Sequence, residues 1–270
     1  MKELHFMYRM RLSFDTPVEK HRFTLKCVPC SDTRQKISEL QTEVYPKEFL
    51  SEGKDSFGNL CIYGYEEGPH DHFSVEVKGK AVTGLASAEP VGEEHLAGMY
   101  RYQTEHTKPG PCIQGFAEAL ALKKGLSGLQ KAEAYMDRLW ERFTYEQGVT
   151  DITTTAEQAF ALGKGVCQDY SHILLSLCRM ERIPCRYVVG MLLGEGLSHA
   201  WVEIYENGGW YALDPTNHLR VTDQHIKISA GRDYKDCMIN QGLFVGQAGQ
   251  TQEIQVSVTE VQEPRIPAHQ

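Results

Sequence analysis

Residues 1–85 alternate short runs of β-branched and aromatic residues with turn residues. The runs cover residues 4–14, 23–28, 59–65 and 72–82. Successive side chains of a strand point to opposite faces, so a period of two between regularly spaced turns indicates antiparallel strands with one buried face. The pattern predicts an N-terminal antiparallel β-sandwich over residues 1–85.

The rest of the chain changes from helical to strand periodicity. Residues 86–112 are rich in glycine, proline and charge, which predicts a linker. Apolar spacing, capping residues and Pro184 then predict helices near residues 114–124, 126–142, 153–163 and 167–180. Strands are predicted over residues 186–193, 199–205 and 210–213. Helices ahead of an antiparallel sheet indicate an α+β domain over residues 113–250, and residues 251–270 are expected to form one more strand and a tail.

Charge and hydropathy exclude several classes of partner. The 270 residues carry 28 Lys and Arg against 36 Asp and Glu, a net charge of −8. This balance lacks the basic footprint of a protein that binds nucleic acid or an anionic membrane. The longest uncharged apolar run, residues 187–194, is too short to cross a bilayer. Charged residues also interrupt the N-terminus where a signal peptide needs an apolar stretch, so we expect a cytoplasmic protein.

Eight cysteines raise the question of which one has a chemical role. In a reducing compartment most are expected to be free thiols buried as small apolar side chains. Cys167 differs because it lies in Gly163-Lys-Gly-Val-Cys-Gln-Asp-Tyr, where glycines precede the start of a helix. The helix dipole and free backbone N–H groups at such a position favour a thiolate. Asp169, in the first turn, is expected to cap the helix.

His199 and Asp214 lie on two predicted strands that are joined by the turn Glu206-Asn-Gly-Gly. If the strands pair in antiparallel fashion, residue 199 is expected to lie opposite residue 214. The carboxylate would then hold one imidazole nitrogen while the other faces Cys167. This is the arrangement of nucleophile, base and orienting group that acyl transfer requires.

Three segments carry a resemblance to a known family: Gly165-Val-Cys-Gln-Asp-Tyr, Ser198-His-Ala-Trp-Val-Glu and Gly209-Trp-Tyr-Ala-Leu-Asp-Pro-Thr-Asn. They resemble the three catalytic blocks of the transglutaminase-like superfamily. Residues 1–261 are similar to bacterial transglutaminase-like proteins that are often described as cysteine proteases. The resemblance implies a papain-like core in which Cys167, His199 and Asp214 form a catalytic triad.

The resemblance also implies a mechanism through a thioester. Water would resolve the thioester in a peptidase or amidase, and an amine would resolve it in a transglutaminase. We expect hydrolysis of a peptide or protein amide, with transfer to an amine or a non-catalytic peptide-binding scaffold as the alternatives. Neither a cofactor nor a metal is expected, because the sequence has no calcium-binding loop of the EF-hand type. The substrate-binding residues and the oligomeric state stay open.

The oxyanion of the reaction needs two hydrogen-bond donors. The backbone N–H of Cys167, at the start of its helix, is the natural first donor. An indole is implicated in animal transglutaminases, whereas this chain offers the side chains of Tyr145 and Gln158, with Gln168 as a further candidate. The second donor is therefore left open among these three.

Overall fold

The computed structural model describes residues 1–90 and 97–261. With 47% strand and 22% helix, the protein is mostly β. Its strands are β1 (Lys2–Leu25), β2 (Gln35–Tyr45), β3 (Phe49–Lys54), β4 (Leu60–Glu66), β5 (His70–Thr83), β6 (Glu89–Pro90), β7 (Thr144–Tyr145), β8 (Lys164–Gly165), β9 (Cys185–Leu192), β10 (Gly194–Gly196), β11 (His199–Glu206), β12 (Gly209–Asp214), β13 (Leu219–Arg220), β14 (His225–Gly231), β15 (Asn240–Val245) and β16 (Gln250–Glu260). Its α-helices are α1 (Pro111–Leu120), α2 (Gly128–Arg142), α3 (Ala156–Leu162) and α4 (Cys167–Met180), and 3₁₀ turns cover Gly98–Arg101 and Tyr234–Cys237.

The long strand β1 organises the N-terminal sheet. Its first half pairs with β5 and β16, and its second half pairs with β4 and β15. The pairing with β5 shifts register between Ser13 and Val18, where the two halves of β1 meet. Alternate residues along the first half are buried, from Leu4 to Phe14, as the period-two pattern predicts. The two strands expected over residues 4–14 and 23–28 are thus parts of one strand.

Two strands of this region were not predicted. Strand β2 pairs with β5, and β3 forms the edge beside β4. Most residues of both strands are exposed or half-buried, so they lack the apolar alternation that identifies a strand. The β-sandwich arrangement stays a prediction, because β1 joins its partners into one continuous eight-stranded sheet.

The sheet also takes strands from distant parts of the chain. β10, β15 and β16 all belong to it. β15 and β16 pair with β1, and β10 pairs with β16, so parts of the ranges 113–250 and 251–270 extend the N-terminal sheet. The strand expected after residue 251 is β16. Part of the predicted linker, residues 91–96, and the tail from 262 to 270 lie outside the described residues.

A second sheet carries the candidate site, in the order β13-β12-β11-β9-β14 with β6 beside β12. Alternate residues of β11 face opposite sides of the sheet. Ala200, Val202 and Ile204 are buried in the same apolar cluster as residues of α2, α3 and α4. Trp201 and Glu203 point to the opposite face, as successive residues of a strand must.

The helices follow local signals in the sequence. Ser127 and Gln130 form a capping box at α2, and Thr155 and Gln158 form one at α3. The first predicted helix, 114–124, is displaced: α1 begins at Pro111 and ends at Leu120. Proline suits the first turn because that N–H has no helical partner, and Ala121 takes a left-handed conformation that ends the helix.

The N-terminal region is fixed to the second sheet by buried hydrogen bonds. The side chain of Asn59 accepts from the N–H of Ala230 and donates to its carbonyl oxygen, both at 2.8 Å. In the part of the chain that the structure describes, no helix is long and apolar enough to cross a membrane.

Candidate active site

Cys167 is the first residue of α4 and is partly exposed. Gly163 ends α3 with a φ of 74°, and the chain then runs through β8 to the start of α4. Asp169 Oδ2 accepts hydrogen bonds from Val166 N and Thr150 Oγ1, both at 2.7 Å. Burial raises the pKa of Asp169 while these donors act against the rise. Asp169 thus fixes the turn that presents the thiol.

Gly165 is required at this turn for a steric reason. A Cβ atom there would lie 2.3 Å from Oδ2 of Asp169, which is closer than real Cβ contacts allow. Any side chain at 165 would therefore displace the carboxylate that caps α4 and, with it, the start of the helix that bears Cys167.

His199 and Asp214 lie next to each other at one end of the second sheet. Nε2 of His199 is 2.7 Å from Oδ2 of Asp214. The expected pairing of residue 199 opposite 214 is wrong, because Asn207 and Gly208 form the two-residue turn and place Glu206 opposite Gly209. Continued along the strands, this register sets Asp214 opposite Trp201, so His199 reaches the carboxylate diagonally.

Four groups besides His199 surround the buried carboxylate of Asp214. Oδ1 accepts from the backbone N–H groups of Thr216 and Asn217, at 3.0 and 3.1 Å. Oδ2 contacts Asn217 Nδ2 at 2.7 Å and His225 Nε2 at 3.0 Å. Burial alone would raise the pKa of Asp214, but the hydrogen bonds from His199 and the other donors hold it well below its usual value. Asp214 is therefore an anion at neutral pH.

The imidazole of His199 is correspondingly basic. Burial lowers its pKa, but the hydrogen bonds with Asp214 and Cys167 outweigh burial and raise the pKa to about 10. Since Nε2 faces Asp214, Nδ1 is the nitrogen left for the thiol. The structure thus brings Cys167, His199 and Asp214 together, with a protonated His199 between the other two.

His225 belongs to the same group of side chains and was not predicted. It begins β14, a strand that the sequence analysis did not identify, and its ring packs edge-on against Trp201 at 5.2 Å. The strand pairs with β9 rather than with the strands of His199 or Asp214. No local pattern in the sequence signals this contact, because it depends on the pairing of β14 with β9 elsewhere in the sheet.

The three candidates for the second oxyanion donor have different surroundings. Tyr145 is exposed, its hydroxyl accepts from Gln147 Nε2 at 3.2 Å, and its backbone pairs with Gly165. Gln158 Oε1 accepts from the backbone N–H of Thr155 at 2.9 Å, as part of the capping box of α3. Nε2 of Gln168 is buried and has no partner among the described residues. Tyr145 and Gln158 are both exposed, but the Gln158 amide is engaged in the cap of α3, whereas the Tyr145 hydroxyl accepts from Gln147 and keeps its own hydrogen to donate.

Three side chains of the site are also close enough together to be possible metal ligands. Among the described residues, one group of His, Cys, Asp and Glu atoms lies close enough for a shared ion: His199, Asp214 and His225, within 4.8 Å of one another. The hydrogen bonds from both rings to Oδ2 of Asp214 account for this closeness. We therefore assign these residues to a hydrogen-bond network.

Behind the site lies a buried ion network. Glu203 is fully buried and accepts from Arg186 Nε at 2.7 Å and from Arg34 Nη1 at 3.3 Å. Burial disfavours its charge, but Arg186 and nearby cations lower the pKa of Glu203 to about 2. Since Arg34 precedes β2, the N-terminal region takes part in the network.

Two parts of the chain match models of known protein families. A model of the transglutaminase-like superfamily matches residues 115–215, which include Cys167, His199 and Asp214. A model of the bacterial transglutaminase-like N-terminal region matches residues 4–82. The chain therefore joins an N-terminal region of the bacterial transglutaminase-like type to a transglutaminase-like core, as the resemblance in the sequence implies.

Two of the similar proteins span almost the whole chain. An uncharacterized protein of Mycobacterium leprae is 26% identical, over 94% of this chain and 99% of its own length. An uncharacterized protein of Mycobacterium tuberculosis is 25% identical over 72% of each chain. A crystal structure from Cytophaga hutchinsonii, provisionally named a cysteine protease, superposes with a TM-score of 0.79 at 19% identity. It covers 98% of this chain and 93% of its own, and supports the fold.

Proposed function

We propose that the protein is a cysteine-dependent hydrolase of amide or peptide bonds, with Cys167 as nucleophile, His199 as acid and base, and Asp214 as the group that orients His199. The observation that carries the proposal is the 2.7 Å contact between His199 Nε2 and Asp214 Oδ2 beside a partly exposed thiol at a helix N-terminus. The match of residues 115–215 to the transglutaminase-like superfamily supports the same assignment.

The chemistry proceeds in two stages. The thiolate of Cys167 attacks the carbonyl carbon, the C–N bond breaks, and protonated His199 gives its proton to the leaving amine. Neutral His199 then takes a proton from water, whose oxygen attacks the thioester carbon; the C–S bond breaks, the acid leaves, and the Cys167 thiolate and protonated His199 are restored. The negative oxygen formed in each stage is stabilised by the backbone N–H of Cys167 and, in this proposal, by the hydroxyl of Tyr145.

The wild-type protein can be assayed on a pool of peptides that contain side-chain and backbone amides, with and without a primary amine. We expect cleavage without the amine, and its loss in Cys167→Ala. Cys112→Ala is the matched control, because Cys112 is exposed and lies outside the group of site residues. Product that requires the amine would favour transfer, and a function that survives Cys167→Ala would favour a scaffold.

The biological setting is part of the proposal. All eight cysteines are free thiols, which suits a reducing compartment. The cytoplasmic location and the peptide or protein substrate stay predictions.

A further inference from the structure

His225 is a buried histidine to which the proposed reaction gives no role. Its Nε2 lies 3.0 Å from Oδ2 of Asp214, the same oxygen that contacts His199. One carboxylate oxygen therefore lies between two imidazole rings, whose centroids are 5.8 Å apart. The two rings differ in charge: His199 is protonated, and His225 is neutral.

Burial lowers the pKa of His225, and the hydrogen bond with Asp214 only partly opposes this effect. The ring is therefore neutral at neutral pH and carries one proton. Because Oδ2 of Asp214 can only accept, that proton must lie on Nε2, which leaves Nδ1 as an acceptor. The charged and titratable groups around the ring and its cavity are Asp214, His199, Arg34, Glu203, Lys227 and Asp32, which pairs with Lys227 at 2.8 Å.

A small cavity borders the other side of His225. It has a volume of about 20 Å³ and is lined by Trp201, His225, Arg34, Gln35, Glu203 and Lys227, among others. That volume holds one water molecule. Two of its lining residues have a buried nitrogen without a partner among the described residues: Nε1 of Trp201, a donor, and Nδ1 of His225, an acceptor. A single water can accept from the first and donate to the second.

We propose that His225 is a positioning residue that holds Asp214 toward His199, and that a buried water bound by Trp201 and His225 fixes the required tautomer. The inference rests on the proposed function only in assigning Asp214 to orient His199. With its proton fixed on Nε2, His225 donates to Oδ2 while the backbone N–H groups of Thr216 and Asn217 hold Oδ1. The carboxylate is thus restrained at both oxygens, and it keeps one direction toward His199.

The main test compares two substitutions of His225. Leucine removes the donor, whereas the glutamine amide can reach the position of Nε2 and restore it. The readout is the rate at which iodoacetamide modifies Cys167, followed by mass spectrometry of the Cys167 peptide. We expect His225→Leu to slow this reaction about tenfold and His225→Gln to keep it within about twofold of wild type, as loss of a hydrogen bond to a charged group implies.

The pH dependence of the same reaction separates positioning from a structural role. The acid limb of the rate profile reports formation of the Cys167 thiolate, which protonated His199 stabilises. In His225→Leu a less firmly oriented His199 stabilises the thiolate less, so the acid limb should move upward by about one pH unit. His172→Gln is the control, since His172 is also buried but contacts Tyr234 N rather than the site. It should leave both readouts unchanged.

Nitrogen-15 NMR of the wild-type imidazoles tests the tautomer without any variant. We expect His225 to carry its proton on Nε2, and Trp201→Phe, which removes the indole donor, to weaken that preference. A proton on Nδ1, or an unchanged rate and acid limb in folded His225→Leu, would overturn the inference. If the protein cleaves no amide but His225→Leu still slows alkylation, the proposed function fails and the positioning role stands.

Discussion

Nε2 of His199 lies 2.7 Å from Oδ2 of Asp214 although the two residues are not directly opposite in the sheet. Asp214 ends β12, and the backbone that follows turns back so that Thr216 and Asn217 donate to its other oxygen. The diagonal contact thus depends on the end of the strand as much as on the pairing. It makes His199 a strong base and keeps Asp214 charged.

Substitution of Asp214 by asparagine is expected to lower the pKa of His199. In the wild type that pKa is raised to about 10, so the contribution of His199 to stability is full below pH 6.5 and is lost as the pH rises through 10. Without the anion, the pKa should fall toward the ordinary value of 6.5. NMR titration of the His199 ring measures it directly. An equal pKa in both proteins would contradict the assignment of Asp214.

Tyr145→Phe tests the second oxyanion donor. If the hydroxyl stabilises the oxyanion, its removal should lower kcat by roughly a hundredfold with little effect on KM, because the interaction forms mainly in the transition state. Gln158→Ala is the comparison, since its amide caps α3. That variant should lose helix stability while kcat is retained. Full kcat in Tyr145→Phe would contradict the role of Tyr145 and favour Gln168 as the second oxyanion donor.

Glu203→Gln tests the buried ion network. The change leaves Arg186 and Arg34 without their shared anion, although Glu89 still pairs with Arg186 at 2.8 Å. We expect the free energy of unfolding to fall by about 3 kcal/mol, as when one partner of a buried pair is removed. Glu141→Gln, at the exposed pair with Arg138, should leave the free energy of unfolding almost unchanged, because solvent screens that pair. Similar losses for both variants in urea denaturation would show that the network is not stabilising.

Local patterns predicted much of the fold and the three central residues. Helix α4 and strands β11 and β12 follow from apolar spacing, turn residues and caps, which act over short distances. Strand β2 was missed because most of its side chains are solvated, so its position depends on hydrogen bonds to β5. The sequence of β2 therefore gives no indication that it pairs with β5.

The site was predicted less completely, for a related reason. Cys167, His199 and Asp214 each stand at the end of a recognisable element, and they meet in the structure. His225 meets them from a strand that pairs elsewhere, and the register of β11 with β12 differs by two residues from the expected pairing. The contact of His225 depends on the assembled sheet, which no local pattern encodes. The register instead follows from the two-residue turn at Asn207 and Gly208, a local signal that the expected pairing did not use.

The rate of alkylation of Cys167, relative to that of Cys112, tests the central claim most directly. Cys112 is more exposed, and the carboxylate of Glu157 raises the pKa of its thiol, so it serves as an internal reference that is independent of His199. Near neutral pH we predict that Cys167 reacts first, and that His199→Ala slows Cys167 by about tenfold or more while Cys112 is unchanged. If Cys167 reacts no faster than Cys112, or if His199→Ala leaves its rate unchanged, Cys167 is not an activated nucleophile.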